Sequence, residues 1–509
     1  MTTKIILGPP GTGKTEYLLR RVEDELANDI KPQEIGYFSY TKKAAREAKD
    51  RAIIKFPHLD KKDFRYFRTL HSLAFQELGI STKDVMRDVH YKELSKLLGI
   101  KLKNTTKRSN DGLAIQDEPY SQIIDLARVR NVSLREQFHI SGHLDGGWLK
   151  LKYIADGITD YKKERNLYEF TDMIIEFNRR EECPELKVLI IDEAQDLAPI
   201  QWTMVKKLIA YANRTYVAGD DDQSIYRWAG VDPDDLINLE GERYILDQSW
   251  RVPRKIHDAA TTLIKRVKNR IPKIWNSKSE EGVIQYHNTP FDSVNIAEGE
   301  WLVLGRDRYT LDRIETEMKT KGLFFARLHK GEAVPSVSQK KLNAINAWTD
   351  LTLRNKDLEL ERVRTIYHYL HVNEDVRHGF KTMPNASDDI MYSYELLQKE
   401  YGLLVPKDKI WHKVLDFPLS EKVYIISLLR RKVNLNHAPR ITLSTIHGSK
   451  GGEADNVMLL TELPRVIDDN YYKNKDDERR VFYVGMTRAK KELHIVRSQT
   501  EREFKEIFH

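Results

Sequence analysis

Short apolar runs bounded by turn residues alternate with longer stretches of helical periodicity over much of this chain. Ile5 to Leu7 is followed by the helical pattern Glu16 to Leu26, and Ile35 to Tyr40 by the charged helix Lys42 to Lys55. Alternation of this kind predicts a parallel sheet with helices on its faces. Leu186 to Ile191 and Thr215 to Ala218 read as later strands of the same sheet. From Gln76 to Asn166 the pattern is instead helical and basic, with Lys101, Lys103, Lys107 and Arg108 in a polar stretch ending at the turn Asn110-Asp111-Gly112. That segment is expected to be an inserted helical domain.

A second α/β region starts after Ser249, with a helix at Pro253 to Val267, strands at Val283 to Tyr286 and Trp301 to Leu304, and a helix at Tyr309 to Lys319. Between Lys330 and Leu419 helical stretches return at Leu342 to Leu353, Leu358 to Leu370 and Met391 to Glu400. The α/β pattern then resumes with Arg440 to Ser444, Val457 to Leu460, the helix Glu478 to Thr487 and the strand Glu492 to Val496. The expected layout is a first core at 1–75 and 167–248 interrupted by 76–166, and a second at 249–329 and 420–509 interrupted by 330–419. The expected fold class is α/β, with two parallel-sheet cores, each interrupted by a mostly helical insertion.

Composition narrows the partners. With 509 residues the chain has room for three or four domains at about 150 residues each. Charged residues make up 32%, yet the net charge is only +7, so any nucleic-acid surface must be a local basic lining. The single cysteine, Cys183, excludes an internal disulfide framework and suits a reducing compartment. No charged leader precedes a long apolar stretch, and nowhere do about 18 apolar residues run together, so a cytoplasmic protein is expected.

The chemistry begins at Gly8-Pro9-Pro10-Gly11-Thr12-Gly13-Lys14-Thr15, a G-x-x-x-x-G-K-T loop between a strand and a helix. Glycines let backbone N–H groups turn inward around a polyphosphate, Lys14 reaches the β and γ phosphates, and the Thr15 hydroxyl binds Mg²⁺. A helix N-terminus facing the anion completes the cradle. Val188 to Asp196 then places Asp192 and Glu193 at the end of a buried strand. Asp192 is suited to hold Mg²⁺ and Glu193 to polarise the attacking water as general base. At the next strand end, Ala218 to Gly230 carries Gln223, placed to sense the γ phosphate, and then Tyr226 and Trp228. Two readings stand for that aromatic pair: core packing, or flat faces on which unpaired bases stack.

The phosphate loop, Tyr40-Thr41-Lys42-Lys43-Ala44-Ala45-Arg46-Glu47, Thr69-Leu70-His71-Ser72, Asp192-Glu193-Ala194-Gln195-Asp196 and Gly219 to Trp228 occur in the order of a known set. Trp250-Arg251, Thr445 to Glu453 and Arg479 to Ala489 complete it. Together they resemble the motifs of the UvrD/Rep/PcrA helicases of superfamily 1A, over residues 4 to about 497, the two insertions matching by position only. The resemblance implies two RecA-like cores with ATP between them, Arg251 and Arg488 reaching the γ phosphate, Trp250 on the adenine where relatives carry tyrosine, and Glu453 near the ribose. It also implies a single-stranded DNA track formed by Tyr40, Thr69, His71, Tyr226, Trp228, Thr445 and His447, travelled 3′ to 5′. Packing or solvated-surface roles for Trp250 and Glu453 stand beside these.

Two departures from the family pattern are visible. Only seven residues precede Gly8, so the usual glutamine box that reads adenine is not seen, and Ala229 stands where relatives often have arginine. Leu167 to Ile174 is similar to a family box leading back into the first core, or is an ordinary amphipathic helix start. The expected activity is an ATP- and Mg²⁺-dependent DNA helicase or translocase acting on single strands and single-strand/duplex junctions, with replication or repair proteins as partners. The short second insertion suggests a compact motor, nucleoid-associated or phage-encoded in a bacterial host. A translocase that strips proteins from DNA or acts on RNA, and a nucleotide-gated single-strand clamp, are the competing readings.

Overall fold

The computed structural model describes residues 2–102, 119–142, 144–289, 294–296, 298–329, 331–469 and 475–508. Lys103, Lys107, Arg108, the Asn110-Asp111-Gly112 turn and Lys330 lie outside the described residues. The first sheet comprises β1 (Thr2–Leu7), β2 (Ile35–Ser39), β3 (Phe67–Arg68), β4 (Val188–Asp192), β5 (Arg214–Gly219) and β6 (Glu242–Ile245). Their order is β3-β2-β4-β5-β1-β6, and every pairing is parallel.

Side chains alternate across this sheet, as the period of two requires. Ile5, Leu7, Leu189 and Ile191 pack on one face with Met173, Phe177 and Trp202. Ile6, Val188 and Ile190 pack on the other with Leu18, Leu19, Val22 and Ala48. A strand covered on both faces has no polar side to show, which is why Leu186 to Ile191 reads as an unbroken apolar run. Parallel strands also bring their C-terminal ends to one edge, where ligands bind in open α/β sheets. The phosphate loop, Glu193 and the stretch from Asp220 to Trp228 all leave the sheet at that edge.

The second sheet comprises β7 (Val283–His287), β8 (Trp301–Gly305), β9 (Phe325–His329), β10 (Glu332–Pro335), β11 (Ile441–Thr445), β12 (Ala454–Leu460) and β13 (Ala489–Val496), in the order β10-β9-β11-β8-β12-β13-β7. The β9–β10 pairing is antiparallel, whereas β9–β11, β12–β13 and β13–β7 are parallel. Two mostly parallel sheets bear out the α/β reading with two RecA-like cores. Among the described residues, no helix is long and apolar enough to cross a membrane.

The chain divides into two compact units. The first contains Met1–Asn295, Leu304–Asp307 and Thr445–His509. Within it, the helices Asp88–Leu98, Pro119–Val129 and Gly147–Arg165 share a separate core of Tyr91, Leu94, Ile123, Leu151, Ile154 and Ile158. An ion cluster joins this bundle to the helix Phe170–Arg179: Arg128 and Lys162 both meet Glu169 and Asp172. The second unit contains Ile296–Val303 and Arg308–Ser444. Its helices Gln339–Thr352 and Leu360–His368 bury Leu342, Trp348, Val363, Ile366 and Tyr367.

Four strands were not legible in the hydrophobic pattern. β3 is two residues long, β6 is an exposed edge strand, β9 ends the first stretch of the expected second core, and the exposed β10, paired with it as a hairpin, opens the segment expected to be helical. β3, β6 and β10 are too short or too solvated to show a two-residue period. The predicted helix at Pro253 to Val267 runs Arg254–Ile264, and that at Glu478 to Thr487 runs Lys475–Met486.

Ile190 lies fully buried in β4, so Ile190→Ala is expected to destabilise the first unit by about 2–5 kcal/mol. Ile54→Ala, at a position 80% exposed, should change stability by less than about 0.5 kcal/mol. Urea denaturation followed by tryptophan fluorescence separates the two, and equal midpoints would contradict the burial pattern.

Candidate functional site

The phosphate loop is held open by local geometry. Gly8 and Pro9 form its buried stem, and the Thr12 hydroxyl donates to the Pro9 carbonyl at 2.8 Å. Gly11 has φ +73°, and a Cβ there would fall 2.4 Å from Cβ of Arg251; one on Gly8 would fall 2.1 Å from Cγ of Lys14. Both positions therefore exclude side chains. Gly13 precedes the helix Lys14–Ala27, and Lys14 Nζ folds back onto the Gly8 carbonyl at 2.8 Å. A lysine resting on a backbone oxygen is ready to exchange it for a phosphate oxygen.

β4 delivers the two acids to this loop. Asp192 Oδ2 accepts from the Thr15 hydroxyl at 3.1 Å and from the Tyr37 hydroxyl at 2.7 Å, and Asp192 Oδ1 accepts from the Glu193 N–H. Burial, and then the neighbouring Glu193, push the Asp192 carboxyl up to about 6. For Glu193 burial acts upward too, but Lys14, Lys450 and the Gln195 amide outweigh it and hold the carboxyl down at about 2. Thr15 and Asp192 thus present adjoining hard oxygens, the donor chemistry that Mg²⁺ takes, and they fit that ion.

Residues distant in sequence close the same cleft. Ser249 Oγ donates to the Pro10 carbonyl at 2.8 Å and the Trp250 N–H to the Gly11 carbonyl at 2.9 Å, so the Ser249-Trp250-Arg251 segment rests on the phosphate loop. The Trp250 side chain is 75% exposed beside it. Arg251 Nε pairs with Glu453 at 2.5 Å, so that carboxylate is engaged by arginine. Arg488 is 2% exposed and donates to the carbonyls of Val484 and Gly452 and to Gln223 Oε1 at 3.0 Å. Among the described residues no carboxylate lies within ion-pair distance of Arg488, and burial together with Arg251 lowers its pKa to about 9. A buried cation without a paired anion is a costly arrangement that a bound anion relieves.

Lys14, Thr15, Asp192, Glu193, Gln223, Arg251, Glu453 and Arg488 line one cleft of about 470 Å³, together with Lys450 and Arg51. That size suits a nucleotide. Hollows of about 710 and 560 Å³ lie elsewhere; the first is ringed by Asp232, Asp234, Asp235 and Glu240, a lining that repels phosphate.

A second constellation adjoins the cleft. Tyr40 and Tyr226 stack with centroids 5.7 Å apart and planes at 26°, while Trp228 and His447 meet Tyr226 and each other at 6.2–6.4 Å. The rings pack on one another, and Trp228 Nε1 is buried with no hydrogen-bond partner among the described residues. Burial, then Arg306 and Lys450, drive His447 well below the ordinary histidine range. Lys450 links the two constellations: its Nζ binds Asp196 at 2.5 Å and the Gln223 carbonyl at 2.7 Å, and lies 5.2 Å from the Tyr226 ring centroid.

Three other residues expected on the DNA track have local partners. The Thr69 hydroxyl caps the helix Leu70–Glu77 by accepting from the Ser72 N–H, and the Thr445 hydroxyl accepts from the Gly448 N–H. His71 meets Phe170 edge-on, and burial with nearby Lys42 lowers it to about 4. The sequence reading passed over Tyr37, Lys450, Arg51 and Ser249. Lys450 lay inside a quoted motif, but spacing says nothing about which partners a lysine will meet.

Family models match both parts of the chain: the UvrD/REP helicase N-terminal domain over residues 1–243 and the UvrD-like helicase C-terminal domain over residues 335–500. The chain belongs to the UvrD-like superfamily 1A helicases. A probable DNA helicase II homolog of Rickettsia felis is 23% identical over 99% of this chain and 91% of its own. The ATP-dependent DNA helicase Rep of Buchnera aphidicola is 22% identical over 97% and 91%, and the ATP-dependent DNA helicase PcrA of Bacillus subtilis 26% over 76% and 52%. In this UvrD-like helicase the matched regions carry the phosphate loop, both acids and Gln223 on one side and Glu453 and Arg488 on the other.

Because folding depresses His447, the unfolded chain binds more protons below about pH 6.5 and stability falls with pH there. Relative to His447→Phe, the wild type should lose unfolding free energy as pH drops from about 6.5 to 4.5 and show a constant difference above that window. Urea titrations at several pH values read this, and parallel pH curves for the two proteins would contradict it.

Proposed function

We propose that this UvrD-like helicase, an ATP-dependent DNA enzyme, moves 3′ to 5′ on single-stranded DNA in the cytoplasm and separates strands at single-strand/duplex junctions. The observation that carries the proposal is Arg488, a buried guanidinium with no carboxylate within ion-pair distance among the described residues, which lines with Gln223 the cleft formed by the phosphate loop and Glu193. Only a strongly anionic group meets that demand, and the γ phosphate is the one that hydrolysis removes.

In the proposed reaction Lys14 holds the β and γ phosphates. Thr15 and Asp192 would hold Mg²⁺, which supplies charge neutralisation across them. Glu193, kept ionised by Lys14 and Lys450, orients the attacking water and accepts its proton as the oxygen bonds to phosphorus and the bridge to the β phosphate breaks. Arg251 and Arg488 stabilise the charge that spreads over the γ phosphoryl group, an effect worth about 10³–10⁵ in rate for such arginines. Trp250 offers an exposed indole face to the base.

Tyr40, Tyr226, Trp228 and His447 are proposed to take successive bases, each stack contributing about 1–3 kcal/mol. Thr69, His71 and Thr445 flank this track. Loss of the γ phosphate alters what Gln223 and Arg488 face, and Lys450, bonded to the Gln223 carbonyl and lying against Tyr226, brings the change to the bases. Replication or repair proteins are the proposed partners.

Glu193→Gln is expected to lower ATPase activity stimulated by poly-deoxythymidine by about 10²–10⁴-fold while nucleotide binding persists. The wild type should unwind duplexes carrying a 3′ tail and not those carrying a 5′ tail. Full activity in Glu193→Gln would remove the mechanism, and unwinding only from the 5′ tail would remove the polarity.

A further inference from the structure

Three consecutive aspartates, Asp220, Asp221 and Asp222, follow β5 and are fully buried. Their charge is met from a segment about fifty residues later. Lys273, its side chain 1% exposed, places Nζ 3.2 Å from Asp220, 2.5 Å from Asp221 and 3.0 Å from Asp222. Arg270 chelates Asp222 through Nε at 2.7 Å and Nη2 at 2.5 Å, and forms no hydrogen bond to Asp220.

Asp220 is the junction between this cluster and the cleft. Its Oδ2 accepts from Gln223 Nε2 at 2.7 Å, while Gln223 Oε1 accepts from Arg488 at 3.0 Å. An acid on one side and a guanidinium on the other fix which way the amide points. The Asp220 N–H also donates to Gln195 Oε1 at 2.9 Å, and Gln195 Nε2 donates to Glu193 at 2.5 Å. The Asp220 carboxylate therefore orients the proposed γ-phosphate sensor, while its backbone N–H separately holds Gln195, the partner of the proposed general base. Three carboxylates packed together repel, and without Lys273 the Asp220 carboxylate would turn away from the cluster and release Gln223, whereas Gln195 stays on the Asp220 backbone N–H.

We infer that Lys273 is a positioning residue for ATP hydrolysis, acting through the Asp220 carboxylate on Gln223. The inference rests on the reading of Gln223 proposed above and adds to it a residue outside every motif quoted from the sequence. Arg270 supplies the internal comparison. It serves the same buried cluster and is equally open to a purely structural role, but it engages the Asp222 carboxylate, which makes no hydrogen bond to the side chain of Gln223 or Gln195.

The test compares Lys273→Met, Arg270→Met, Gln223→Ala and the Lys273→Met/Gln223→Ala double variant in the full chain. The readouts are kcat and KM of poly-deoxythymidine-stimulated ATPase, the melting temperature, and binding of a fluorescent non-hydrolysable ATP analogue. Lys273→Met should lower kcat by about 10²-fold with KM within about threefold, because misplacing reacting groups by about 1 Å has that effect. Arg270→Met should lower the melting temperature and leave kcat within about threefold. In the Gln223→Ala background the Lys273 substitution should add less than about threefold, the signature of action through one shared group. Equal kcat losses in Lys273→Met and Arg270→Met, or fully multiplicative losses in the double variant, would overturn the inference. If Lys273→Met does not bind the analogue, Asp220→Asn carries the same test at unchanged volume: reduced kcat at unchanged KM supports the inference and normal kcat overturns it. A normal kcat in Gln223→Ala would instead remove the reading of Gln223, whereas a slow Gln223→Ala beside a normal Lys273→Met would remove only the role of Lys273.

Discussion

A guanidinium buried at Arg488, with no carboxylate within ion-pair distance among the described residues, sets the terms for the rest of the cleft. Removing a charge from water costs several kcal/mol even after relaxation, and two backbone carbonyls with one amide oxygen only partly offset that. The surroundings must therefore hold Arg488 in place and leave room for an anion. Helix Lys475–Met486 and the start of β13 supply the first condition, and the open phosphate loop supplies the second. Lys14, resting on its own loop, is a second cation awaiting the same group.

From this constraint follows the closeness of cleft and aromatic cluster. Gln223 and Tyr226 are three residues apart on one stretch after β5, so the group proposed to sense the γ phosphate and a ring in the aromatic stack share a backbone. Lys450 spans the same interval through Asp196, the Gln223 carbonyl and the Tyr226 ring. A physical route for coupling needs packed, hydrogen-bonded elements with two arrangements, and these contacts provide the connected half of that requirement. The aspartate cluster on Lys273 is the fixed base against which such a change can act.

Much of this was readable in the sequence because the decisive groups sit at strand ends. Buried parallel strands appear as apolar runs, and the polar residues that stop them, Asp192 with Glu193 and Asp220 to Gln223, are the ones that line or support the cleft. Arg251, Arg488 and Glu453 could be named only through family resemblance, since nothing local distinguishes them from surface charges. Lys273 and Arg270 left no sequence signal at all: their meaning arises when the fold sets them against aspartates some fifty positions away. Thr69 shows the opposite limit, where a hydroxyl expected beside nucleic acid is also a helix cap. Edge strands β6 and β10 were missed because exposed four-residue strands carry no period to detect.

The central claim is that the unpaired charge of Arg488 is held for the phosphoryl group in flight. Single-turnover ATP hydrolysis on poly-deoxythymidine by Arg488→Ala, with nucleotide affinity measured in parallel, tests it most directly. The account predicts a hydrolysis rate lower by about 10³–10⁵-fold with affinity changed far less. A hydrolysis rate equal to that of the wild type would contradict it.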